Sequence, residues 1–217
     1  MHFCITGGSK GLGRALAIYI LLNNHRVTII DRVSSDLDCD FIKHDFAENL
    51  PFSISCDVLV VCHATFDGFR PFGSYSQGYI SRYLQINLLS QIDLIKNSKY
   101  KKVVYINSVL SIAPLPNISL YSACKGFMHN FLESVRRENT PVLTVYPYKI
   151  DTDLFECVKS PYVLEKKIIS REIFNSIIKG DTHLYLPSIF KYAYIYALFP
   201  LFIQNYIVRF INYTMIN

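Results

Sequence analysis

The chain has 217 residues, of which 51% are apolar or aromatic, and its 22 basic and 17 acidic side chains give a formal net charge of +5. This length predicts one domain with a sizeable core, and the scattered basic residues argue against a nucleic-acid partner. The six cysteines form no C-x-x-C pair, which favours a reducing, cytoplasmic compartment, and the six isolated histidines give no support for a metal site.

A glycine-rich turn comes almost first in the chain. Residues 3–5 are an apolar run typical of a strand, residues 16–22 have helical apolar spacing, and Thr-Gly-Gly-Ser-Lys-Gly-Leu-Gly lies between them at 6–13. Glycines there permit positive φ, and the helix start attracts an anion, so the turn predicts a site for a dinucleotide pyrophosphate. Because the motif begins at residue 6, we expect no signal peptide before it.

The next strand, residues 26–30, ends at Asp31, 18 residues beyond Gly13. An acid at this distance is typical of binding to a ribose 2′-hydroxyl. Lys10 and Arg32 can both approach a 2′-phosphate instead. We expect Asp31 to repel that phosphate more strongly than the two cations attract it, which favours NAD, with NADP as the alternative.

A strand over residues 39–43 follows too soon for a crossover helix. Asp45 behind it either accepts a hydrogen bond from an adenine amino group or only forms a turn. The apolar run at 57–62 predicts a central parallel strand, which places His63 and Ala64 at the cofactor edge of the sheet.

Residues 80–95 repeat apolar side chains at helical spacing, and Asn87 lies on or near the buried stripe. A buried amide needs hydrogen-bond partners. Asn87 is therefore either a core polar group satisfied by backbone or a functional residue that holds a water.

A strand over residues 102–107 ends at Ser108; Tyr121 follows thirteen residues later, and Lys125 another four, on a helix predicted over 119–138. Positions i and i+4 share a helix face, so the phenol and the ammonium face one cleft. The cation favours phenolate and lowers the pKa of the tyrosine from about 10, while the serine can hold a substrate oxygen. The alternative is a core tyrosine beside a snorkelling lysine.

The chain continues with strands at 141–145 and 182–186 around a helix at 165–178. Residues 189–216 are rich in Tyr, Phe, Ile and Leu, but polar residues interrupt them, which argues against a spanning helix. Three interpretations stay open: the segment completes the pocket and core, contacts another subunit, or lies on a membrane surface with Lys191 and Arg209 at the head groups.

Together the glycine turn, Asn87, Ser108, the Tyr121–Lys125 pair and residues 147–152 resemble the short-chain dehydrogenase/reductase family, in its simple, non-extended branch. The resemblance covers about residues 2–187. It implies an α/β fold with a doubly wound, Rossmann-type parallel sheet. Residues 1–187 would form the dinucleotide-binding domain, and residues 188–217 a hydrophobic helical extension of it.

The resemblance implies an NAD(P)-dependent oxidoreductase that interconverts a carbonyl and an alcohol. Tyr121 would be the general acid or base, Lys125 would lower its pKa and bind the nicotinamide ribose, Ser108 would position the carbonyl, and Asn87 would hold a relay water. Thr152 would contact the carboxamide. The cofactor-binding residues expected on this basis are Gly7, Ser9, Lys10, Gly11, Leu12, Gly13, Asp31, Arg32, Asp45, His63, Ala64, Lys125, Pro147, Ile150 and Thr152.

The loops near the cofactor edge predict an apolar substrate through their aromatic residues, Phe66, Phe69, Phe72, Tyr148 and Phe155.

The sequence also departs from the family pattern. Residues 62–65 are Cys-His-Ala-Thr where the family has Asn-Asn-Ala-Gly, and Tyr148 occupies the position of the family's glycine after Pro147. Both changes add bulk beside the cofactor. They keep open a non-catalytic regulatory or scaffold protein that binds a dinucleotide. A homo-oligomer is expected, although the short interval between Asn87 and Ser108 argues against assuming the family's usual tetramer.

Overall fold

The protein is described from a computed structural model that covers residues 1–160 and 162–216. Its strands are β1 (His2–Thr6), β2 (Arg26–Asp31), β3 (Asp40–Lys43), β4 (Val58–Val61), β5 (Lys102–Ile106), β6 (Val142–Pro147) and β7 (His183–Leu186). Its helices are α1 (Gly11–Leu22), α2 (Gln77–Leu84), α3 (Ser90–Asn97), α4 (Ser119–Arg137), α5 (Lys166–Lys179) and α6 (Leu201–Ile216).

The seven strands form one parallel sheet in the order β3-β2-β1-β4-β5-β6-β7. The central strands are apolar and buried on both faces, because α1 and α5 cover one side and α3 and α4 the other. The strand order reverses between β1 and β4, and at such a point a crevice opens beyond the carboxyl ends of the strands. The predicted doubly wound α/β fold is confirmed.

Two local features refine the predicted elements. Strands β2 and β3 are joined by residues 32–39 without a helix, as the short spacing predicted. The helix expected over 80–95 instead runs from α2 into α3 through a π-helical segment, Gln85–Leu89, which contains Asn87. The side chain of Asn87 is 1% exposed, so its predicted burial is confirmed.

The C-terminal segment begins with a 3₁₀ stretch, Ser188–Leu198, and ends in α6. Val208 and Ile211 on α6 pack against a third apolar cluster, which also contains Ile118 and Tyr121. Among the described residues, no helix combines the length and apolar character that crossing a bilayer requires. The boundary predicted at residue 187 stays a prediction.

Candidate active site

A cavity of about 690 Å³ opens at the carboxyl ends of the strands, between the glycine turn, the start of α4 and the loop after β6. Its volume lies in the range usual for small-molecule sites. All the predicted site residues line it except Ser9, Gly13 and Asn87. The predicted residues in the lining are Gly7, Lys10, Gly11, Leu12, Asp31, Arg32, Asp45, His63, Ala64, Ser108, Tyr121, Lys125, Pro147, Ile150 and Thr152.

The glycine turn takes its shape from backbone contacts that a side chain would prevent. Gly7 and Gly11 have φ values of +66° and +54°, in the left-handed region that favours glycine. A Cβ on Gly13 would lie 2.2 Å from the carbonyl oxygen of Gly7. The turn therefore folds closely over the first turn of α1, whose N–H groups and dipole favour an anion in the cavity. Gly13 contributes to this shape without lining the cavity.

Asp31 links the glycine turn to the end of β2. Its Oδ2 accepts a hydrogen bond from the backbone N–H of Ser9 at 3.1 Å, and its Oδ1 accepts one from Val33 at 3.2 Å. The Ser9 hydroxyl donates to the carbonyl oxygen of Val33 at 2.7 Å. Each carboxylate oxygen keeps a second lone pair for a ligand. Ser9 lies outside the cavity lining and links the glycine turn to Asp31 and Val33, and its predicted role in cofactor binding stays a prediction.

Asp45 makes the turn-forming contact that one of its two interpretations predicted, and its contact with adenine stays a prediction. Its Oδ1 accepts a hydrogen bond from the N–H of Ala47 at 2.9 Å, which is a turn-forming contact. Its Oδ2 lies 3.8 Å from the guanidinium of Arg82, and both residues line the cavity. The same side chain thus forms a turn and faces the cavity.

Tyr121 is buried in the apolar part of the cavity. The rings of Phe66 and Phe155 meet it edge-on at centroid distances of 5.2 and 5.9 Å. Burial raises the pKa of Tyr121, and the side chain of Ser108 partly offsets this increase. The phenol is therefore neutral at physiological pH.

Lys125 lies one helical turn further on, with its ammonium 5.9 Å from the centroid of the Tyr121 ring. Its Nζ donates to the carbonyl oxygen of Ile106 at 2.7 Å and to the hydroxyl of Tyr105 at 3.3 Å. Burial lowers the pKa of Lys125 to about 8. We predicted that this cation would lower the pKa of Tyr121, but desolvation outweighs any such effect here because both groups are enclosed.

The side-chain amide of Asn87 is hydrogen-bonded to backbone groups through both of its polar atoms. Its Oδ1 accepts a hydrogen bond from the N–H of Thr65 at 2.9 Å, and its Nδ2 donates to the carbonyl oxygen of Tyr83 at 3.2 Å. Of the two alternatives for Asn87, this geometry favours a core polar group that ties the end of β4 to the π-helical segment. Its role in a proton relay stays a prediction.

His63 turns its ring into the core. Its Nδ1 lies 2.7 Å from the hydroxyl of Thr6 and its Nε2 lies 3.0 Å from that of Ser90, while the ring stacks on Phe46 with centroids 3.6 Å apart. The carbonyl oxygen of His63 accepts a hydrogen bond from Gln91 Nε2 at 2.8 Å. The bulk expected beside the cofactor is therefore directed inward at this position.

Tyr148 also lines the cavity, but its ring stacks on Phe190 in the C-terminal segment, with centroids 5.4 Å apart. Of the other aromatic residues predicted at the cofactor edge, Phe69 lines the cavity too, whereas Phe72 is exposed outside it. The aromatic loops thus supply part of the apolar wall, as expected, without Phe72.

The burial of His63 makes stability depend on pH. Burial lowers the pKa of its imidazole from 6.5 to about 3. Between pH 3 and pH 6.5 the imidazole is therefore protonated in the unfolded chain but neutral in the folded protein. Stability is then lost as pH falls below 6.5. When the pH is lowered from 7.5 to 5, we expect the free energy of unfolding, measured with urea, to fall by about 2 kcal/mol less in His63→Asn than in the wild type. An equal loss in both proteins would contradict a buried neutral imidazole.

Sequence reasoning missed Asn107, which precedes Ser108. Its Oδ1 accepts a hydrogen bond from the N–H of Ser108 at 2.9 Å, but its buried Nδ2 has no acceptor within residues 1–160 and 162–216. Asn107 lines the cavity, and a buried donor without a partner is costly unless a ligand or water satisfies it. An asparagine directly after a central strand was the available signal.

Residues 1–162 match the sequence profile of the short chain dehydrogenase family. The chain is 24% identical over 208 residues to the PIGF/3-ketodihydrosphingosine reductase fusion protein of Schizosaccharomyces pombe. It is 31% identical over 104 residues to the 11-beta-hydroxysteroid dehydrogenase-like 3 of Arabidopsis thaliana. These alignments cover 79% and 43% of this chain but only 40% and 34% of the two relatives, so the chain spans less than half of either.

Among solved structures, a short chain dehydrogenase from Burkholderia cenocepacia in complex with NADP shares the fold with a TM-score of 0.72 and 17% sequence identity. The superposition covers 85% of this chain and 86% of that one.

Proposed function

Because the chain belongs to the short-chain dehydrogenase family, we propose that it is a nicotinamide-dependent oxidoreductase that interconverts an apolar carbonyl compound and its alcohol. One observation carries the proposal: Ser108, Tyr121 and Lys125, with Lys125 one helical turn beyond Tyr121, line a cavity that residues of the glycine turn also line. The residues proposed for proton exchange and those proposed for dinucleotide binding thus line the same cavity.

Several features of the cavity suit a dinucleotide. Residues of the glycine turn line the cavity at the N-terminus of α1, where a pyrophosphate is favoured, and the Asn107 amide, which has no acceptor among the described residues, supplies a donor. We propose that Asp31 and Asp45 contact the adenosine end, and that Pro147, Ile150 and Thr152 contact the nicotinamide end. The cofactor supplies or accepts the hydride when it is bound.

The chain's own residues provide the proton. Tyr121 donates it to the substrate oxygen during carbonyl reduction, which its raised pKa supports because the phenol is neutral at physiological pH. Ser108 donates a hydrogen bond that positions the same oxygen. The Lys125 ammonium stabilises the tyrosinate that forms and binds a ribose hydroxyl.

An apolar substrate suits the walls of the cavity near Tyr121. They are formed by aromatic and aliphatic side chains from three loops and the α4 start, including Phe66, Phe69, Leu115, Phe155 and Val158. The names of the two relatives, a ketodihydrosphingosine reductase and a hydroxysteroid dehydrogenase-like protein, support a lipid-like carbonyl or alcohol. Burial of the hydrocarbon part of such a substrate is favourable by about 0.8 kcal/mol for each methylene.

We propose NAD as the preferred cofactor, because the Asp31 carboxylate faces the adenosine end and repels a 2′-phosphate. Lys10 and Arg32 line the same end and favour the alternative, NADP. The NADP bound to the Burkholderia cenocepacia protein also keeps this alternative in view.

One experiment tests both proposals: turnover of aldehydes and ketones of increasing chain length, followed by NADH and NADPH absorbance, in the wild type and Asp31→Asn. We expect turnover that improves with chain length and a wild-type preference for NADH. Asp31→Asn removes the charge but retains an acceptor for the Ser9 N–H, so we expect about a tenfold shift in kcat/KM toward NADPH.

The outcomes separate the two proposals. An unchanged NADH/NADPH ratio in Asp31→Asn contradicts the role of that carboxylate alone. Cofactor binding without turnover of any carbonyl compound, detected by quenching of tyrosine fluorescence, would instead support a regulatory or scaffold protein. A cytoplasmic compartment and a homo-oligomeric state stay predictions.

A further inference from the structure

The outward side of α6 is an exposed aromatic surface. Phe202, Tyr206, Phe210 and Tyr213 follow one another at intervals of three or four residues, and their exposed fractions lie between 64% and 75%. Residues at this spacing share one side of a helix. We call these four residues the outer face of α6. A contiguous apolar surface of this kind marks an interaction site in a folded protein.

The opposite side of the helix fixes where this surface lies. Val208 and Ile211 pack against the apolar cluster that contains Tyr121, and in the preceding 3₁₀ stretch Phe190 stacks on Tyr148 at the cavity wall. The outer face of α6 is therefore held at the end of the molecule where the cavity opens.

The charges of the segment favour a lipid surface as the occupant. Residues 182–217 contain no Asp or Glu, while Lys191 and Arg209 are both exposed cations. Contact with a second copy across a two-fold axis would bring this segment against itself, with no carboxylate from it to pair the cations. The phosphates of an anionic bilayer supply the missing negative charge.

The side-chain types agree with an interfacial position. Tyr has an apolar ring with a polar tip, which suits the head-group region, and Phe and Leu enter the acyl boundary. Arg209 is exposed next to Phe210, so a cation lies beside the outer face of α6. With 16 residues, α6 is shorter than a spanning helix and suits a position parallel to the membrane plane.

We propose that residues 188–216 dock on the surface of an anionic lipid bilayer through the outer face of α6, with Lys191 and Arg209 at the phosphates. Docking places the cavity beside the bilayer. If the proposed function also holds, an apolar carbonyl compound reaches Tyr121 from the lipid; this consequence rests on that function, whereas the docking itself does not.

Flotation of the full chain with vesicles tests the proposal. We expect the wild type to float with phosphatidylcholine vesicles that contain phosphatidylserine, and the triple variant Phe202→Ser, Tyr206→Ser, Phe210→Ser to lose at least tenfold in the floated fraction. The matched control is Leu22→Ser with Ile178→Ser, which removes two exposed apolar side chains from α1 and α5 and is expected to float like the wild type.

Further measurements separate the competing outcomes. Lys191→Gln with Arg209→Gln is expected to weaken flotation with anionic vesicles and to make it less sensitive to salt. Circular dichroism and turnover of a water-soluble aldehyde check that the triple variant stays folded, and this turnover tests the proposed function independently of the vesicles. Failure of the wild type to float overturns docking. If neither protein floats, and the wild type is a dimer while the triple variant is a monomer, the outer face of α6 is instead a contact between two copies of the chain.

Discussion

Tyr121→Phe is expected to lower carbonyl reduction by about 10²- to 10⁴-fold, the usual contribution of a positioned general acid. The substitution removes only the hydroxyl, so the ring should keep its edge-on contacts with Phe66 and Phe155. The dissociation constant of the cofactor should therefore change little. Steady-state kinetics and a fluorescence titration measure the two quantities separately.

Tyr83→Phe is the matched control, because Tyr83 is buried in the same apolar cluster but does not line the cavity. We expect it to retain wild-type kcat. If Tyr121→Phe also kept wild-type kcat, Tyr121 would not be the proton donor, and the mechanism would need another acid.

The second large effect is expected for Gly13→Ala. The added methyl group would lie 2.2 Å from the Gly7 carbonyl oxygen and 3.1 Å from the Gly8 Cα, and these are backbone atoms that cannot rotate away. The turn must open or α1 must shift. We expect a loss of roughly 3 kcal/mol in the free energy of unfolding, at the upper end for overpacking, together with loss of cofactor binding.

Gly78→Ala offers the control for this substitution. Gly78 lies in α2, and a Cβ there would meet nothing within 4 Å. Since alanine favours helix over glycine by up to about 1 kcal/mol, this variant should be slightly more stable than the wild type. Urea unfolding compares the two variants directly, and equal stability of Gly13→Ala and the wild type would contradict the close contact across the turn.

Much of the fold could be predicted because its signals are local. Continuous apolar runs such as 57–62 mark strands buried on both faces, and the short interval after Asp31 left no room for a helix. The π-helical segment around Asn87 could not be predicted, because it accompanies a hydrogen bond to Thr65, 22 residues away. Periodicity carries no information about such a contact.

For the site, spacing predicted which residues would meet but not how they would be oriented. The glycine turn, Ser108, Tyr121 and Lys125 line one cavity, as their positions at strand ends and on one helix face predicted. The inward ring of His63 depends on side chains from other elements. The pKa of Tyr121 was expected to fall because its spacing from Lys125 is visible in the sequence, whereas the burial that raises it is not.

The ammonium of Lys125 is held before any ligand arrives. It donates to Ile106 and Tyr105, the Tyr105 hydroxyl donates to Gln91 at 2.8 Å, and Gln91 donates in turn to the carbonyl oxygen of His63. Immobilising a lysine side chain costs roughly 2 kcal/mol of rotamer entropy, and here that cost is incurred during folding. The ligand therefore meets a preorganised cation, and less of its binding free energy is consumed in ordering the site.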